Sequence, residues 1–293
     1  MILLTGTSGF IGKKLLNVLL REYGKENILA LTSSPIKECR YLLHNNFNFD
    51  EDFFLESGFD NIDTIIHAGA FTPKNGRESN NVDKSNSNIT NTTRLINAKL
   101  PNLKKFIFLS TLDVYAPTSI ISENSIIDPI SLYGQSKLYC EKIIRNWAKT
   151  NNYIYQLLRI GHTYGPGEEL YEKIIPITFK NIIESKPVQL FGNGNEVRSF
   201  IYISDVTSAI SKAIHLKSSN VINIVGNEQI SISNLITKII TITGKDVEII
   251  KVKNKTIGRD LIFDNQKMKA ILFLPKTLLD EGLKNEWDYM KHL

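Results

Sequence analysis

Three glycines spaced three apart, in Thr5-Gly6-Thr7-Ser8-Gly9-Phe10-Ile11-Gly12, open directly after the apolar run Ile2-Leu3-Leu4. Few folds accommodate such a turn between a buried strand and a helix. The first glycine lets the chain reverse tightly, the second lets backbone N–H groups approach a diphosphate, and the third lets helix pack on strand. The helix that follows, Gly12 to Arg21, places Ile11, Leu15, Leu16, Leu19 and Leu20 on one face. Its positive N-terminus points at the same diphosphate. The turn predicts a dinucleotide site lined by Gly6, Ser8, Gly9, Phe10, Ile11 and Gly12.

Short apolar runs then alternate with amphipathic stretches, as in βαβ units of a parallel sheet. Strands are expected at Asn27 to Thr32, Thr64 to His67, Phe106 to Ser110 and Ile154 to Ile160. Helices are expected at Asn86 to Lys99, ended by Pro101, and at Ser131 to Lys149. After Pro166 the pattern changes: a helix at Ile174 to Ser185, a short strand at Val188 to Phe191, then a strand-like Phe200 to Ile203 and a helix at Asp205 to Leu216. Val221 to Val225 is a further strand, and Ile232 to Thr243 (helix) with Val247 to Val252 (strand) begin the last stretch. The expected architecture is α/β, a doubly wound parallel sheet of Rossmann type over residues 1–165 with 200–225 returning to it. Residues 166–199 and 226–293 are expected to build a smaller substrate-binding cap.

The charge balance of 35 basic against 30 acidic residues contains no run of five Lys or Arg, so no nucleic-acid or membrane tail is indicated. The mild excess suits an anionic ligand or simply solubility. Cys39 and Cys140 give neither a disulfide framework nor metal spacing. Met1-Ile2-Leu3-Leu4 is too short for a secretory apolar region, and no window approaches the ~18 apolar residues of a membrane helix. A cytoplasmic location is expected.

The second strand ends Ala30-Leu31-Thr32-Ser33-Ser34, without the acid that would grip a ribose 2′-hydroxyl. Lys37 and Arg40 lie just beyond it. The hydroxyls of Thr32 and Ser33 with those cations suit a 2′-phosphate, which favours NADPH over NADH, unless the cations are only solvated loop charges. Asp50 either accepts a bond from the adenine amine or is an ordinary turn residue.

Tyr133 and Lys137 sit one helical turn apart on a shared face. A phenol titrates near ~10, and an adjacent ammonium stabilises its phenolate and lowers that value. The same lysine can bond the nicotinamide ribose. With eleven tyrosines, about one such spacing arises by chance. The informative addition is Ser110-Thr111 at the C-terminal end of a strand, where ligands of a parallel sheet bind. Thr111 can then hydrogen-bond the substrate oxygen that Tyr133 protonates, so Thr111, Tyr133 and Lys137 are the candidate catalytic residues.

Nearly the whole length resembles the extended short-chain dehydrogenases/reductases, the sugar-nucleotide epimerases, dehydratases and 4-ketoreductases. Thr5 to Gly12 is similar to their TGxxGxxG turn, His67-Ala68-Gly69-Ala70 to their post-strand motif, and Asn88 to their helix asparagine. Ser110 to Tyr115, Tyr133 to Lys137 and Arg159 to Pro166 resemble their active-site segments. Phe191 to Gly194 with Arg198 to Asp205 resembles their nucleotide-binding stretch, and Arg259 stands where a second diphosphate arginine is common. The resemblance implies that Ala68, Gly69, Ala70, Asn88 and Ile160 accompany Tyr133 and Lys137 at the cofactor. It implies that Thr72, Leu112, His162, Arg198 and Arg259 meet the substrate with Thr111 and Tyr133. His162 stands in place of the usual Asn and either touches substrate or packs; Ala116 and Ser199 depart from the pattern as well.

Dehydratases of that group carry Thr-Asp-Glu where this chain has Thr111-Leu112-Asp113, so the acid beside the threonine is missing and water elimination is disfavoured. Glu123 and Asp128 restore no second pairing. The expected activity is NADPH-dependent reduction of a nucleotide-linked 4-keto-6-deoxyhexose, with dTDP-4-keto-6-deoxyglucose as the best candidate, in surface-polysaccharide (lipopolysaccharide O-antigen) synthesis. The alternative is a C4 epimerase that retains NAD. A regulatory NADP sensor on the same fold would carry a damaged Thr/Tyr/Lys set, and here the set is whole. A dTDP, UDP or CDP carrier and a homodimer through the two long helices follow from the resemblance alone.

Overall fold

The computed structural model describes residues 1–118, 120–253 and 260–293. In chain order the strands are β1 (Ile2–Thr5), β2 (Ile28–Thr32), β3 (Arg40–Leu43), β4 (Thr64–His67), β5 (Lys105–Thr111), β6 (Ile120–Ile121) and β7 (Ile154–Ile160). They continue as β8 (His162–Tyr164), β9 (Val188–Phe191), β10 (Val197–Tyr202), β11 (Asn220–Ile224), β12 (Gln229–Ser231), β13 (Ile249–Val252) and β14 (Ile262–Phe263). The helices are α1 (Phe10–Tyr23), α2 (Phe53–Glu56), α3 (Val82–Asn97), α4 (Leu132–Thr150), α5 (Ile174–Ile183), α6 (Ile203–Ala213), α7 (Ile232–Thr243), α8 (Gln266–Ile271) and α9 (Leu279–Met290).

Seven strands form one parallel sheet in the order β11-β7-β5-β4-β1-β2-β3. It is the doubly wound Rossmann sheet, and its order reverses between β1 and β4. Ligands of open α/β sheets bind at that reversal, beyond the carboxyl ends of the strands. Both faces are covered, which is why the strands read as continuous apolar runs. Along β1, Ile2 and Leu4 pack with Leu15 and Leu19 of α1 and Val206 and Ile210 of α6. Leu3 points the other way, into a cluster holding Leu95 of α3 and Ile144 of α4. Each such side chain, removed fully from water, stabilises the layer by roughly 1.5–3 kcal/mol.

A second apolar cluster gathers α5, α7 and α9 around Tyr164, Phe179, Leu235 and Leu283. Beside it β12, β10 and β8 form a three-stranded sheet, and β13 pairs with β9. The return of residues 200–225 to the main layer differs in detail from expectation. Strand β10 pairs with β8 and β12, because the free edge of β7 is taken by β11 (Ile224 against Ile160). Only α6 and β11 rejoin the large sheet.

Strand β3 is the larger departure. No strand is expected at Arg40, yet the stretch from it pairs with β2, Leu29 against Arg40 and Thr32 against Leu43. Its short apolar run, Tyr41-Leu42-Leu43, lies on an edge strand, so most of its side chains are exposed.

Candidate active site

The glycine turn is built by close approaches across the reversal of strand order. Gly6 has φ +76°, and a Cβ there would lie 2.5 Å from the Gly69 nitrogen. At Gly12 a Cβ would lie 1.9 Å from the Gly6 carbonyl oxygen, so any larger residue would push α1 off the turn. Beneath it the Thr5 hydroxyl accepts from the Gly69 N–H at 2.8 Å and bonds His67 Nδ1 at 2.8 Å. Burial drives the His67 pKa down to about 3, so this imidazole is neutral and serves as a fixed strut between β1, β4 and Thr92.

A cleft of about 490 Å³ runs from this turn along the C-terminal ends of β4, β5 and β7. Gly6, Gly9, Phe10, Ile11 and Gly12 line its floor, Ala68, Ala70 and Thr72 one wall, and Ile160 and His162 the other. Thr111, Leu112, Tyr133 and Lys137 face the same space. The structure thus brings together the candidate catalytic set and the glycine turn, from segments more than one hundred residues apart. Ser8 belongs to the turn but is turned to solvent.

Local geometry explains the convergence. Ser131 caps α4, its hydroxyl accepting from the Gly134 N–H at 3.0 Å. A Cβ on Gly134 would lie 2.4 Å from the Asp113 carbonyl oxygen, so only glycine lets the first turn of α4 settle against the exit of β5. Tyr133 is thereby carried onto Thr111. The hydroxyls of Thr72 and Thr111 both reach the Tyr133 phenol oxygen. Lys137 donates to the Leu109 carbonyl at 2.5 Å and stands 4.3 Å from the centre of the Phe108 ring.

The electrostatics differ from the expectation that Lys137 lowers the Tyr133 pKa. Burial raises it well above the ordinary phenol range, and the Asp113 carboxylate raises it further, while Thr72 and Thr111 work in the opposite sense. The Lys137 ammonium is held at the Leu109 carbonyl, and burial brings its own pKa down to about 8. A neutral phenol is the form that donates a proton, so the arrangement suits a general acid.

Under these groups lies a buried network that the sequence did not reveal. Arg159 forks onto Glu141 through Nε–Oε1 at 2.9 Å and Nη2–Oε2 at 2.7 Å. Ser110 donates to Glu141 Oε1 at 2.6 Å, and Arg159 Nη1 donates to the Tyr115 hydroxyl at 2.8 Å. Tyr115 passes the chain on to Asn223 at 2.7 Å. Glu141 is one turn beyond Lys137, Ser110 precedes Thr111, and Arg159 precedes Ile160. The pair fastens three elements in register directly below the residues that face the cleft.

Other expected site residues are placed differently. Arg40 pairs with Leu29 near the start of β2, the end of the sheet away from the glycine turn. Its guanidinium bonds the Glu26 carbonyl and covers the Phe59 ring, so it is structural there. Lys37 is exposed and lines neither the cleft nor its neighbour. Asp50 accepts from the Asp52 N–H at 3.1 Å, which makes it the turn residue of the two readings. Asn88 lines no part of the cleft. Its Oδ1 accepts from the Phe71 N–H at 2.7 Å and its Nδ2 donates to Ser136 at 3.2 Å, so it ties the segment after β4 to α4. The Thr32 hydroxyl donates to the Ser34 carbonyl at 3.0 Å. Arg259 lies outside the described residues.

Ser33 opens on a neighbouring groove together with Asn45, Asn46, Gly69, Ala70 and Arg94. Asn45 and Asn46 line this groove, and Asp50 does not. The sequence signal was present but local: Asn46 has φ +50° and Phe47 φ +56°, a left-handed turn that asparagine tolerates. Arg94, on α3, donates to the Phe47 carbonyl at 2.7 Å and is the cation this groove presents. His162 is half-buried, and desolvation of its ring lowers its pKa to about 4, so the ring is neutral. Arg198 and His162 share a side cavity with Lys173, a residue sequence reasoning passed over.

Among the described residues no helix is long and apolar enough to cross a membrane. The sequence matches the NAD dependent epimerase/dehydratase family over residues 2–226. A Bacillus subtilis relative described as an uncharacterized UDP-glucose epimerase is 29% identical, the match covering 100% of this chain and 98% of that protein. An Escherichia coli dTDP-4-dehydro-6-deoxyglucose reductase is 27% identical over 96% of this chain and 95% of the relative. The crystal structure of a Bacillus cereus UDP-glucuronic acid 4-epimerase in complex with UDP-glucuronic acid and NAD superposes with a TM-score of 0.84 at 28% identity, covering 99% of each chain.

Proposed function

We propose, from the premise that this chain belongs to the NAD-dependent epimerase/dehydratase family, that it reduces the C4 keto group of a nucleotide-linked 4-keto-6-deoxyhexose with NADPH. The carrying observation is the meeting of Thr111 and Tyr133 hydroxyls in a cleft whose neighbouring position is Leu112, not an acid. Hydride arriving at C4 leaves an alkoxide, and the neutral Tyr133 phenol supplies its proton while Thr111 orients the oxygen. Leu112 stands where the dehydratase pattern has its acid, and the carboxyl present, Asp113, lies one position further on and acts on Tyr133, so water elimination is disfavoured. The E. coli relative of matching length supports a dTDP-linked substrate. UDP and CDP carriers satisfy the same geometry.

In this reading the glycine turn holds the cofactor diphosphate, and residues 166–199 and 226–293 act as the substrate-binding cap. The protein works in the cytoplasm as a homodimer. A retained-NAD C4 epimerase is the second reading, favoured by the NAD-bound B. cereus structure and by the removal of Arg40 from the cofactor end of the sheet. The NADPH preference therefore rests on Ser33 and Arg94 around a groove entrance whose β2 end carries no acid. Ser33→Asp places a carboxylate there and should move the NADPH-to-NADH ratio of kcat/KM towards NADH by about tenfold, worth ~1.4 kcal/mol. Parallel steady-state assays with the two cofactors read it, and an unchanged ratio would remove the 2′-phosphate assignment.

A further inference from the structure

The side cavity, of about 290 Å³, joins the cleft through His162, Thr163 and Lys173. Ile174, Ile175, Phe200 and Ile232 make most of its wall apolar, while Arg198 and Lys173 give it positive charge. Into this wall projects Glu168, only 1% exposed, with neither carboxyl oxygen bonded to a neighbouring donor. Behind it stands Glu286 of α9, also 1% exposed, with Oε2 unpartnered. The other Glu286 oxygen is served by the Gly165 N–H. Two carboxyls thus meet in a dry site, one from the turn after β8 and one from the C-terminal helix.

Their surroundings hold one opposing charge close by. Lys173 Nζ lies 3.8 Å from Glu168 Oε2 and also donates to the Thr163 carbonyl at 3.4 Å. Glu169 adds a further negative charge and accepts from the Tyr289 hydroxyl at 3.1 Å. From β8 come His162 and Tyr164, from β10 Arg198 and Tyr202, and from the turn itself Tyr171. Two ionised carboxylates in contact, out of water and facing one lysine, would cost more than the site returns. Retaining a proton removes that cost.

We propose that Glu168 and Glu286 hold one proton between them, and that this proton is the condition for the side cavity to accept the diphosphate of a nucleotide ligand. The inference rests on the nucleotide-sugar reading above and adds to it a dependence on pH. With the proton in place the pair presents one negative charge rather than two beside Lys173. Once it leaves, a second negative charge is set in the wall that an incoming diphosphate must approach. Burial pushes Glu168 well above the usual carboxylate range, although Lys173 pulls it back; burial and then the Glu168 charge push Glu286 up as well. Affinity is therefore full at low pH and is lost as pH rises through the point where the pair gives up its proton. His162, held down at about 4, does not titrate in that range, and burial keeps Tyr164, Tyr171 and Tyr202 above the ordinary phenol value.

Calorimetric titration of the full chain with UDP-glucose between about pH 6 and 8.5 tests this, because neither the diphosphate diester nor the uracil ring titrates there. Wild-type Kd is expected to rise with pH, approaching tenfold per unit at the alkaline end. Glu168→Gln leaves a single carboxyl bonded to a neutral amide and should flatten the curve. Glu286→Gln leaves the complementary single carboxyl and should flatten it too, so a folding failure of one variant leaves the other to decide. A flat wild-type curve, or variants that keep the wild-type slope, would overturn the shared proton. Absence of binding by both UDP-glucose and dTDP-glucose at every pH would instead overturn the nucleotide-sugar reading.

Discussion

Tyr133→Phe is expected to lower kcat by about 10²–10⁴-fold, the usual worth of one positioned proton donor. Cofactor affinity should change little, because the ring itself is retained. Tyr133 is 5% exposed and packs edge-on against Phe71 with ring centres 6.0 Å apart, contacts a phenylalanine keeps. What disappears is the hydroxyl that Thr72 and Thr111 orient. The variant should therefore fold, bind NADPH and fail at the chemical step, as single-turnover kinetics with fluorescence titration of the cofactor would show. Near-normal turnover would end the assignment of Tyr133 as the acid.

The second large effect concerns stability. Glu141→Ala leaves Arg159 as an unpaired cation in a site where both side chains are almost fully covered, at 4% and 1% exposed. Breaking one partner of such a pair costs about 3–5 kcal/mol, more than its net contribution, because the remaining charge stays desolvated. For a chain of this size that amounts to a Tm lower by roughly 10 °C. Differential scanning calorimetry reads it directly, and a Tm within about 2 °C of wild type would show that water or a neighbour takes over the arginine. Because Ser110 and Arg159 adjoin Thr111 and Ile160, the folded fraction should also turn over more slowly.

These two residues show what a sequence can and cannot disclose. Tyr133 was legible because its partners are close in sequence or tied to a strand end: Lys137 is one turn away and Thr111 closes an apolar run. The glycine turn was legible for the same reason. Ser110 and Arg159 stand in segments the sequence singles out, but Glu141 does not, and only the β5–β7 register with α4 packed on it joins the three. Edge strand β3 has only four residues to mark it, and its pairing with β2 places Arg40 at the end of the sheet away from the glycine turn. Asp50 lies outside the groove lining, which the left-handed turn at Asn46 and Phe47 gives to Asn45, Asn46 and Asn48. Glu168 and Glu286 are joined only by the packing of α9 against the turn after β8, a contact no spacing rule anticipates.

The central claim is tested most directly by mixing purified protein with dTDP-4-keto-6-deoxyglucose and NADPH deuterated at the transferred position, then following absorbance and product mass together. One NADPH oxidised per sugar reduced, with deuterium at C4 of the product, is the predicted result. No net oxidation, with NAD already bound to the protein as purified, would contradict it and identify the retained-cofactor epimerase instead.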